Sequence, residues 1–363
     1  MQYLAIFIIS LTAVRLIVAL LNLAGRQWLR RGSLQSQPKV SVLIPARNEE
    51  NNIANILENV LRHDYRNLEI IVYDDMSEDN TRMIAKTYRA KDNRINVIYG
   101  KALPEGWLGK NYACHLLSME ARGEYVLFID ADVHIKKGVI KNAVAHMQRH
   151  KLALLSLFPV QKMITFPEKI FVPAINWILT SLLPLALTRK SSRPSLSAAN
   201  GQFMLFDAKV YHKEKFHKAM RNKPAEDISI FRLMKKKKYK VQTLLGNSKV
   251  SCRMYQSGHE AVQGLAKNVF EYFGGSPLAA FLFGFITTFG FIPVVLKMPV
   301  HITIIYFSMI ILMRLIISTI SRQNIFWNLL LAPLQQAGFF MILIKALIFK
   351  YRKNLLWKGR NIY

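Results

Sequence analysis

Residues 125–132 read Tyr-Val-Leu-Phe-Ile-Asp-Ala-Asp, and the change from apolar to acidic side chains after Ile129 is the clearest structural signal in the chain. Aromatic and β-branched residues favour a buried strand. Asp130 and Asp132 then follow the apolar run directly. Two carboxylates one residue apart in a turn can approach the same divalent ion, and Mg²⁺ or Mn²⁺ would keep further coordination sites for phosphate oxygens. The segment therefore predicts a buried strand that ends at a candidate ligand site.

Similar apolar runs recur on both sides of this segment and alternate with helical stretches. They are VSVLI before Pro45, LEIIVY at 68–73, INVIY at 95–99 and LALLSL at 152–157. Strands that alternate with helices predict an α/β fold with a mostly parallel sheet, covered on both faces, over residues 38–157. Ligands of such sheets bind outside the carboxyl ends of the strands, so the polar residues found there are the candidates for function.

Polar residues follow the first two predicted strands as well. Residues 45–50 read Pro-Ala-Arg-Asn-Glu-Glu, and residues 74–81 begin with Asp74 and Asp75. Crowding carboxylates at one sheet edge is unfavourable unless a cation or a donor-rich ligand takes up their charge. In the simpler interpretation, Ser77 or Asp79 caps the next helix. That interpretation does not explain Asp130 and Asp132.

Charge divides the chain into three parts. Of 363 residues, 50 are Lys or Arg and 22 are Asp or Glu, which gives a net charge of +28, and no acid occurs before Glu49 or after Glu271. The hydrophobic fraction of 52% excludes intrinsic disorder, and two cysteines cannot form a disulfide framework. The run Lys235–Lys238 fits anionic lipid headgroups or a solvated helix face better than nucleic acid, because membrane segments accompany it. We therefore expect no nucleic-acid partner.

Apolar segments near both ends predict membrane helices. Residues 3–24 match the bilayer core in length, and three more segments lie at 278–296, 299–320 and 325–349. Arg26, Arg30 and Arg31 follow the first segment, so the positive-inside rule predicts a cytoplasmic catalytic domain in a multi-pass protein of the cell membrane. The predicted organisation is a membrane anchor at 1–36, a catalytic domain at 37–277, membrane helices at 278–349 and a basic tail at 350–363.

Two details of the membrane assignment stay open in the sequence. Three full crossings after a cytoplasmic domain would export the tail, yet residues 350–363 contain five Lys and Arg. One C-terminal segment is therefore expected to be re-entrant or interfacial. Residues 168–189 are apolar but carry two prolines. They are compatible either with amphipathic helices in the membrane surface or with an ordinary pair of core helices.

Four motifs together resemble the family 2 glycosyltransferases: PARNEE, IVYDDMSEDNT, GWLGKNYAC and FIDADV. The resemblance implies a GT-A fold, a single α/β domain that binds a nucleotide sugar. By this resemblance the nucleotide is bound by the first motif and the paired aspartates, with Lys110 nearby, and the divalent cation and diphosphate are held by the Asp-x-Asp. The residues are Pro45, Arg47, Glu49, Asp74, Asp75 and Lys110 for the nucleotide and Asp130 and Asp132 for the metal.

The second half of the chain resembles the family's acceptor side. Asn200-Gly201-Gln202-Phe203 is similar to the loop beside the donor sugar, and Glu226-Asp227 is similar to the acidic pair before a helix. The resemblance makes Asp227 the general base of a single in-line displacement that inverts the anomeric centre. Without the upstream motifs, the two acids would be interpreted as first-turn residues stabilised by the helix dipole.

A narrower resemblance points to the diapocarotenoid (diaponeurosporenoate) glucosyltransferases, which glycosylate a carotenoid acid. It rests on residues 253–258, Arg-Met-Tyr-Gln-Ser-Gly, on Gly264, Lys267, Gly274 and Gly275, and on Trp-Lys-Gly-Arg at 357–360. Processive synthases carry Gln-x-x-Arg-Trp, whereas this chain has Val250 and Met254 around Arg253, which disfavours polymerisation. Arg253 is predicted to supply positive charge to the leaving diphosphate.

The sequence thus predicts an inverting transferase that moves one hexose, glucose from a UDP-sugar, to a carotenoid acid. Alternatives are transfer to a hopanoid, sterol-like or diacylglycerol hydroxyl, or an inactive nucleotide-sugar-binding membrane subunit. The segment Gly106–Asn111 lacks the spacing of an ATP-binding loop, and His259–Gln263 lacks the second histidine of a zinc protease. These absences disfavour an ATPase and a zinc protease.

Overall fold

The computed structural model describes residues 1–352, 356–357 and 360–361. The strands within these residues are β1 (Val40–Ala46), β2 (Leu68–Asp74), β3 (Ile95–Tyr99), β4 (Tyr125–Ile129), β5 (Val133–Ile135), β6 (Leu154–Phe158), β7 (Val160–Gln161), β8 (Phe203–Asp207), β9 (Val241–Leu245), β10 (Val250–Cys252), β11 (Leu356–Trp357) and β12 (Arg360–Asn361). The rest of the predicted tail at 350–363, beyond Arg352 and these two short strands, lies outside the described residues, and with it part of the Trp-Lys-Gly-Arg motif.

The α-helices of the described residues are α1 (Gln2–Ala24), α2 (Ile53–Leu61), α3 (Thr81–Lys91), α4 (Gly109–Glu120), α5 (Val139–His150), α6 (Phe166–Phe171), α7 (Pro173–Leu182), α8 (Leu187–Lys190), α9 (Ala208–Glu214), α10 (Phe216–Ala219), α11 (Glu226–Lys236), α12 (Gly258–Asn268), α13 (Pro277–Phe289), α14 (Phe291–Lys297), α15 (Val300–Ile320), α16 (Ile325–Leu330) and α17 (Ala332–Arg352). A 3₁₀ turn at Val269–Phe273 connects α12 to the segment before α13.

The main sheet has the strand order β3-β2-β1-β4-β8-β6-β9 among the described residues. β1 to β4 pair in parallel, and β6 and β9 pair in parallel, whereas β8 runs antiparallel between β4 and β6. The predicted mostly parallel sheet is confirmed. Every residue of β1 except Pro45 is buried, because helices cover both faces of its sheet.

A small second sheet connects the two halves of the catalytic domain. β10 pairs antiparallel with β5 and parallel with β7. β5 begins directly after Asp132, and β10 ends directly before Arg253. The pairing of Cys252 with Val133 therefore brings a segment 120 residues downstream against the turn that carries the two aspartates.

Three helices of the described residues are long and apolar enough to cross a membrane: α1, α15 and α17. The predicted segment 278–296 is not one helix, because it breaks at Gly290 into α13 and α14. The 13 residues of α13 span about 20 Å, which is short of a hydrocarbon core of about 30 Å. Pro293, which lacks a backbone N–H donor, contributes to this break.

Buried arginines within the apolar helices have neutral polar partners. Arg15 of α1 donates to the Ser181 hydroxyl at 3.0 Å, and its guanidinium lies 4.6 Å from the centre of the Trp177 ring. Arg314 of α15 donates to the Gln335 amide oxygen at 2.8 Å. Because an unsolvated cation is costly in an apolar medium, these contacts favour packing of the helices against one another rather than exposure of the arginines to lipid.

The segment predicted at 168–189 forms α6, α7 and α8. α7 packs against α1 and α15, and most of its side chains are buried. α6 packs against α12 and α17. A Cβ at Gly338 of α17 would lie 2.9 Å from Ile170, so the glycine permits the close approach of α17 to α6. These helices connect the apolar helices to the catalytic domain.

Gly264 allows α12 to lie against a buried tyrosine ring. A Cβ at this position would lie 2.4 Å from Cε1 of Tyr255. We therefore expect Gly264→Val to destabilise the protein by about 1–3 kcal/mol, the usual effect of overpacking, and to lower its melting temperature. Gln263→Val places the same side chain on the next position of α12 and serves as the control in thermal unfolding of the detergent-solubilised protein. Equal melting temperatures for both variants would contradict this packing.

Candidate active site

A pocket of about 390 Å³ opens beyond the carboxyl ends of β1 and β4. It is the position that the strand pattern predicts for a ligand. The pocket brings together twelve of the thirteen residues predicted for the site, from segments that span more than half of the chain. They are Pro45, Arg47, Glu49, Asp75, Lys110, Asp130, Asp132, Gly201, Gln202, Glu226, Asp227 and Arg253. The exception is Asp74.

The loops after β1 and β2 form one end of the pocket and are fastened to each other. Arg47 donates to the backbone oxygen of Asp75 at 2.7 Å. The backbone N–H of Glu49 donates to the Thr81 hydroxyl at 2.7 Å, and the Asn48 N–H donates to the Ser77 hydroxyl at 3.0 Å. Cross-links of this kind hold the two loops in fixed register. The end of the pocket predicted to bind the nucleotide is thus preorganised.

Asp74 and Asp75 have different positions despite being adjacent. Asp75 lines the pocket, whereas Asp74, the last residue of β2, is buried and accepts a hydrogen bond from the Ser77 N–H at 3.3 Å. Successive side chains of an extended segment point to opposite sides, so Asp74 can lie away from the pocket while Asp75 lines it. Asp74 therefore stabilises the turn, and its contact with the nucleotide stays a prediction.

Asp130 and Asp132 follow the end of β4 and line the pocket. The Asp132 carboxylate has one oxygen that accepts from Cys252 at 3.2 Å and from Gln202 at 3.4 Å. Its other oxygen, Oδ1, is buried and has no hydrogen-bond partner among the described residues. Burial, together with the charges of Asp130 and Glu49, raises the pKa of Asp132 to about 7. A buried carboxylate with an unused oxygen is an incomplete arrangement that a cation would complete.

The two aspartates fit a shared divalent cation rather than a closed metal site. No group of three or more His, Cys, Asp or Glu side chains suited to a metal ion occurs among the described residues. Mg²⁺ and Mn²⁺ are commonly held by one or two carboxylates, with water and substrate phosphates completing the coordination. The donor set is therefore compatible with a cation that depends on the bound diphosphate.

Lys110 lies between the two acidic groups of the pocket. Its ammonium is 2.9 Å from Asp130 Oδ2 and 3.5 Å from Glu226 Oε1. Gly201 permits this arrangement, because a Cβ there would lie 3.1 Å from the Lys110 nitrogen. Lys110 therefore partly offsets the repulsion between the candidate metal ligands and the candidate catalytic acids.

Asp227 is held at the start of α11 with its carboxylate in the pocket. One oxygen accepts from the Gly201 N–H at 2.9 Å, and the other accepts from the Ile228 N–H at 2.8 Å. Burial, with the neighbouring charge of Glu226, raises the pKa of Asp227 to about 6. A carboxylate of this pKa is ionised at neutral pH and is a stronger base than an ordinary aspartate.

Arg253 lines the pocket but also has a strong protein partner. Its guanidinium donates to Glu168 Oε1 at 2.7 Å, and Glu168 is fully buried at the start of α6. The sequence analysis did not identify Glu168. Thr165 and Glu168 have the Thr-x-x-Glu spacing of a capping box, which would have placed Glu168 at a helix start but not beside Arg253.

The far end of the pocket consists of residues to which the sequence analysis gave no role. Phe158, Ile175 and Leu265 form an apolar wall, and Lys267 and Asn268 add polar groups at the end of α12. Lys267 and Gly264 carry part of the narrower resemblance, so a signal for their relevance was present in the sequence. The residues of this end come from α7, α12 and the end of β6, which is separated from β1 by two strands, and are therefore the candidate acceptor region.

Comparison with known proteins agrees with this geometry. Residues 41–219 match the family described as Glycosyl transferase family 2. A 4,4'-diaponeurosporenoate glycosyltransferase of Staphylococcus haemolyticus is 26% identical over 238 residues, which cover 65% of this chain and 62% of that protein. The poly(ribitol-phosphate) beta-N-acetylglucosaminyltransferase TarS of Staphylococcus aureus is 32% identical over 114 residues, 31% of this chain and 19% of TarS. The chain thus covers less than two thirds of the length of each relative.

A solved structure shares the fold over nearly the whole chain. The mannosyltransferase PcManGT from Pyrobaculum calidifontis, determined in complex with GDP-Man and Mn²⁺, superposes with a TM-score of 0.56 at 17% sequence identity. The match covers 95% of this chain and 99% of that one. The predicted GT-A fold is confirmed.

Proposed function

We propose, from the premise that this chain carries a family 2 glycosyltransferase domain, that the protein transfers one glucose from UDP-glucose to a carotenoid acid at a membrane. The observation that carries the proposal is that an Asp-x-Asp turn, an aspartate at a helix start and apolar side chains all line one pocket. The 26% identity to a diaponeurosporenoate glycosyltransferase supports the choice of acceptor.

Pro45, Arg47, Glu49 and Asp75 would surround the base and ribose of the donor. Their loops are already fastened to each other, so little conformational entropy is lost when the nucleotide binds. Lys110 would direct its ammonium at the negative diphosphate region while it retains contact with Asp130. Gly201 and Gln202 line the pocket next to these groups and would lie beside the donor sugar.

Asp130 and Asp132 would hold a divalent cation at the diphosphate. Bound there, Mg²⁺ or Mn²⁺ would neutralise the negative charge that develops on the leaving group. Lys110 adds a fixed positive charge on the same side. Arg253 lines the pocket and could add a second one while its other N–H groups remain bound to Glu168.

Asp227 would stand on the acceptor side of the sugar. The acceptor oxygen attacks the anomeric carbon as the bond to the diphosphate breaks, and a single displacement of this kind inverts the anomeric centre. Glu226, paired with Lys110, keeps the base in a negative environment that favours proton uptake. A carboxylic acid acceptor is already ionised at neutral pH and does not need this step.

A hydroxyl-bearing lipid is the second candidate acceptor, and one observation favours it. The raised pKa of Asp227, about 6, suits a group that removes a proton from an alcohol. A hopanoid, sterol-like or diacylglycerol hydroxyl would then replace the carotenoid acid. An inactive nucleotide-sugar-binding subunit is disfavoured, because the candidate metal ligands and the candidate base are all present in one pocket.

Membranes that contain the protein, incubated with labelled UDP-glucose and a carotenoid acid, test the proposal. We expect a carotenoid that has gained one labelled hexose. Parallel reactions with UDP-galactose, UDP-N-acetylglucosamine and GDP-mannose identify the donor. The same reactions are repeated with a hydroxyl-bearing lipid as the acceptor. Absence of a labelled lipid with every donor and both acceptors would refute the proposed activity.

We further propose that α1, α15 and α17 cross the cell membrane, that α13 and α14 re-enter it from one side, and that the catalytic domain is cytoplasmic. This arrangement returns the basic C-terminal residues to the side of Arg26, Arg30 and Arg31, as the positive-inside rule requires. Protease should therefore digest the catalytic domain in inside-out vesicles and leave it intact in right-side-out vesicles. The reverse pattern would contradict the orientation.

A further inference from the structure

The acceptor end of the pocket contains a lysine to which the proposed mechanism gives no role. Lys267 lies in the last turn of α12 and lines the same pocket as Glu226 and Asp227. Burial lowers the pKa of the Lys267 ammonium and Lys110 adds to that shift, whereas the carboxylates of Glu226, Asp227 and Asp130 oppose it. A second basic group besides Lys110 therefore stands near the candidate catalytic acids.

Lys267 is held in a fixed position relative to Asp227. The 3₁₀ turn that follows Asn268 contains Glu271, which accepts a hydrogen bond from Arg232 of α11 at 2.6 Å. Arg232 also donates to the backbone oxygen of Glu271 at 2.7 Å. Because α11 begins with Glu226 and Asp227, this bidentate contact joins the end of α12 to the helix that carries the candidate base.

Asn268 adds a polar group with unused capacity at the same place. Its side-chain oxygen is buried and has no hydrogen-bond partner among the described residues, and the residue lines the pocket. Buried side-chain amides in proteins usually have hydrogen-bond partners. An amide oxygen without a partner in a pocket therefore indicates a water molecule or a hydrogen-bond donor of a ligand. This part of the pocket therefore keeps one hydrogen-bond acceptor that the described residues do not satisfy and that a donor such as water can occupy.

The surroundings of Lys267 match an amphiphilic molecule that comes from the membrane. Leu265 lines the pocket on the same helix, and Phe158 and Ile175 complete the apolar wall. α12 packs against α17, one of the three helices that are apolar enough to span a membrane, and against α6. An apolar tail could thus lie along the wall with its polar end toward Lys267.

A carboxylate has a specific difficulty in this pocket. Its charge must approach Glu226, which is buried, and Asp227, which is half-buried, and like charges at short distance away from bulk water repel strongly. An alcohol meets no such repulsion. A carboxylate acceptor therefore needs a nearby cation, whereas a hydroxyl acceptor does not.

We propose that the Lys267 ammonium binds the carboxylate of the acceptor and selects acids over alcohols, an inference that rests on the proposed function. One carboxylate oxygen then forms the bond to the anomeric carbon. The bond between that carbon and the diphosphate oxygen breaks, and its electron pair leaves with the nucleoside diphosphate. The ionised acid loses no proton in this step, so Lys267 acts as a binding group and transfers none.

The test compares Lys267→Met and Lys267→Arg with Lys209→Met, which removes one charge from an exposed position of α9. Each protein is assayed with a carotenoid acid and with the corresponding primary alcohol, and the dissociation constant for UDP is measured separately. Loss of one charged hydrogen bond corresponds to about a ten- to hundredfold change. We expect a loss of that size in kcat/KM for the acid with Lys267→Met, through KM, while the alcohol reaction and UDP binding change little. Lys267→Arg should keep most of the preference for the acid.

Equal losses for acid and alcohol, or weaker UDP binding alone, would overturn the inference and assign Lys267 to the structure or to the donor. A measurement on the wild-type protein covers the case in which a variant does not fold. Carbamylation of Lys267 by cyanate, followed by mass spectrometry, should be slowed by the carotenoid acid and not by the alcohol. Equal protection by both would also overturn the inference. If the wild-type protein transfers sugar to neither acceptor, the proposed function fails, and the protection experiment still tests the binding of the acid.

Discussion

Asp132→Asn is expected to lower glycosyl transfer by about a hundred- to a thousandfold, the effect of removing one principal group that stabilises charge in a transition state. Asparagine has the same size and can still accept the hydrogen bonds from Gln202 and Cys252. What it lacks is the negative charge at the buried oxygen Oδ1, which is unpaired among the described residues. Removal of this charge should therefore weaken binding of the divalent cation and leave the fold intact.

The melting temperature of Asp132→Asn shows whether the lower rate comes from loss of the metal ligand or from unfolding. The pKa of Asp132 is raised to about 7, so its ionisation disfavours the folded state at pH values above the ordinary aspartate range, and this effect is complete above about pH 7. Asp132→Asn should accordingly melt at the same or a higher temperature than the wild-type protein at pH 8. Mn²⁺ with UDP should raise the melting temperature of the wild-type protein and not that of the variant.

The matched control is Asp92→Asn, which removes a surface carboxylate that is paired with Arg94 outside the pocket. Its transfer rate should stay near that of the wild-type protein. A near-normal rate for Asp132→Asn, or an unchanged response of its melting temperature to Mn²⁺ with UDP, would contradict the assignment of Asp132 as a metal ligand.

Asp227→Asn is expected to lower the transfer rate much more with an alcohol acceptor than with a carboxylic acid acceptor. With an alcohol acceptor the rate should fall by about a hundred- to ten-thousandfold, because the proton of the attacking hydroxyl has no base to receive it. With a carboxylic acid acceptor appreciable transfer should remain, since the acid is ionised without assistance. Rates with a carotenoid acid and its alcohol, measured on the same preparation, give the ratio directly.

Asp207→Asn is the control for this variant. Asp207 also stands before a helix and accepts a hydrogen bond from the Val210 N–H at 3.0 Å, but it lies outside the pocket. Asp207→Asn should change the transfer rates with the two acceptors only slightly and to the same extent. Equal abolition of both reactions by Asp227→Asn would show that Asp227 does more than accept a proton.

The pH dependence of the transfer rate of the wild-type protein should likewise differ between the two acceptors. Asp227 is ionised above its raised pKa of about 6, so the rate with an alcohol should rise as the pH increases through 6. The rate with a carboxylic acid should lack this limb, because the acid titrates near pH 4. Both profiles need saturating Mn²⁺, since a bound cation keeps Asp132 ionised across the range.

The sequence predicted the sheet well where the signal was local. The apolar runs around residues 40–44, 68–73, 95–99 and 125–129 correspond to β1 to β4, because buried parallel strands are apolar on both faces. It did not predict β8, which begins inside the segment interpreted as a loop beside the donor sugar. β8 is a strand because β4 and β6 pair with it on either side, and that pairing depends on residues about 50 to 80 positions away.

The motifs predicted most of the residues that line the pocket. They did not predict the contacts between segments that are distant in the sequence. Nothing in the local sequence couples Arg253 to Glu168, 85 residues earlier, or fastens the end of α12 to α11 through Arg232 and Glu271. Asp74 illustrates a different limit. The pair Asp74-Asp75 is evident in the sequence, but which of the two faces the pocket depends on the strand register.

The membrane segments show a signal that was present but unused. The apolar run 278–296 contains Gly290 and Pro293, and the helix breaks at Gly290, three residues before the proline. A Cβ at Gly290 would lie 2.2 Å from the carbonyl oxygen of Ile286, so the close approach at the break leaves no room for a side chain. Length alone predicted a crossing here, whereas the two residues together predict two short helices.

Mass spectrometry of the lipids formed from UDP-[¹³C]glucose and a carotenoid acid tests the central claim most directly. Membranes with the wild-type protein should yield a carotenoid ester that carries one labelled hexose, and membranes with Asp132→Asn should yield almost none. A labelled lipid that forms equally with Asp132→Asn, or no labelled lipid with the wild-type protein, would contradict the account.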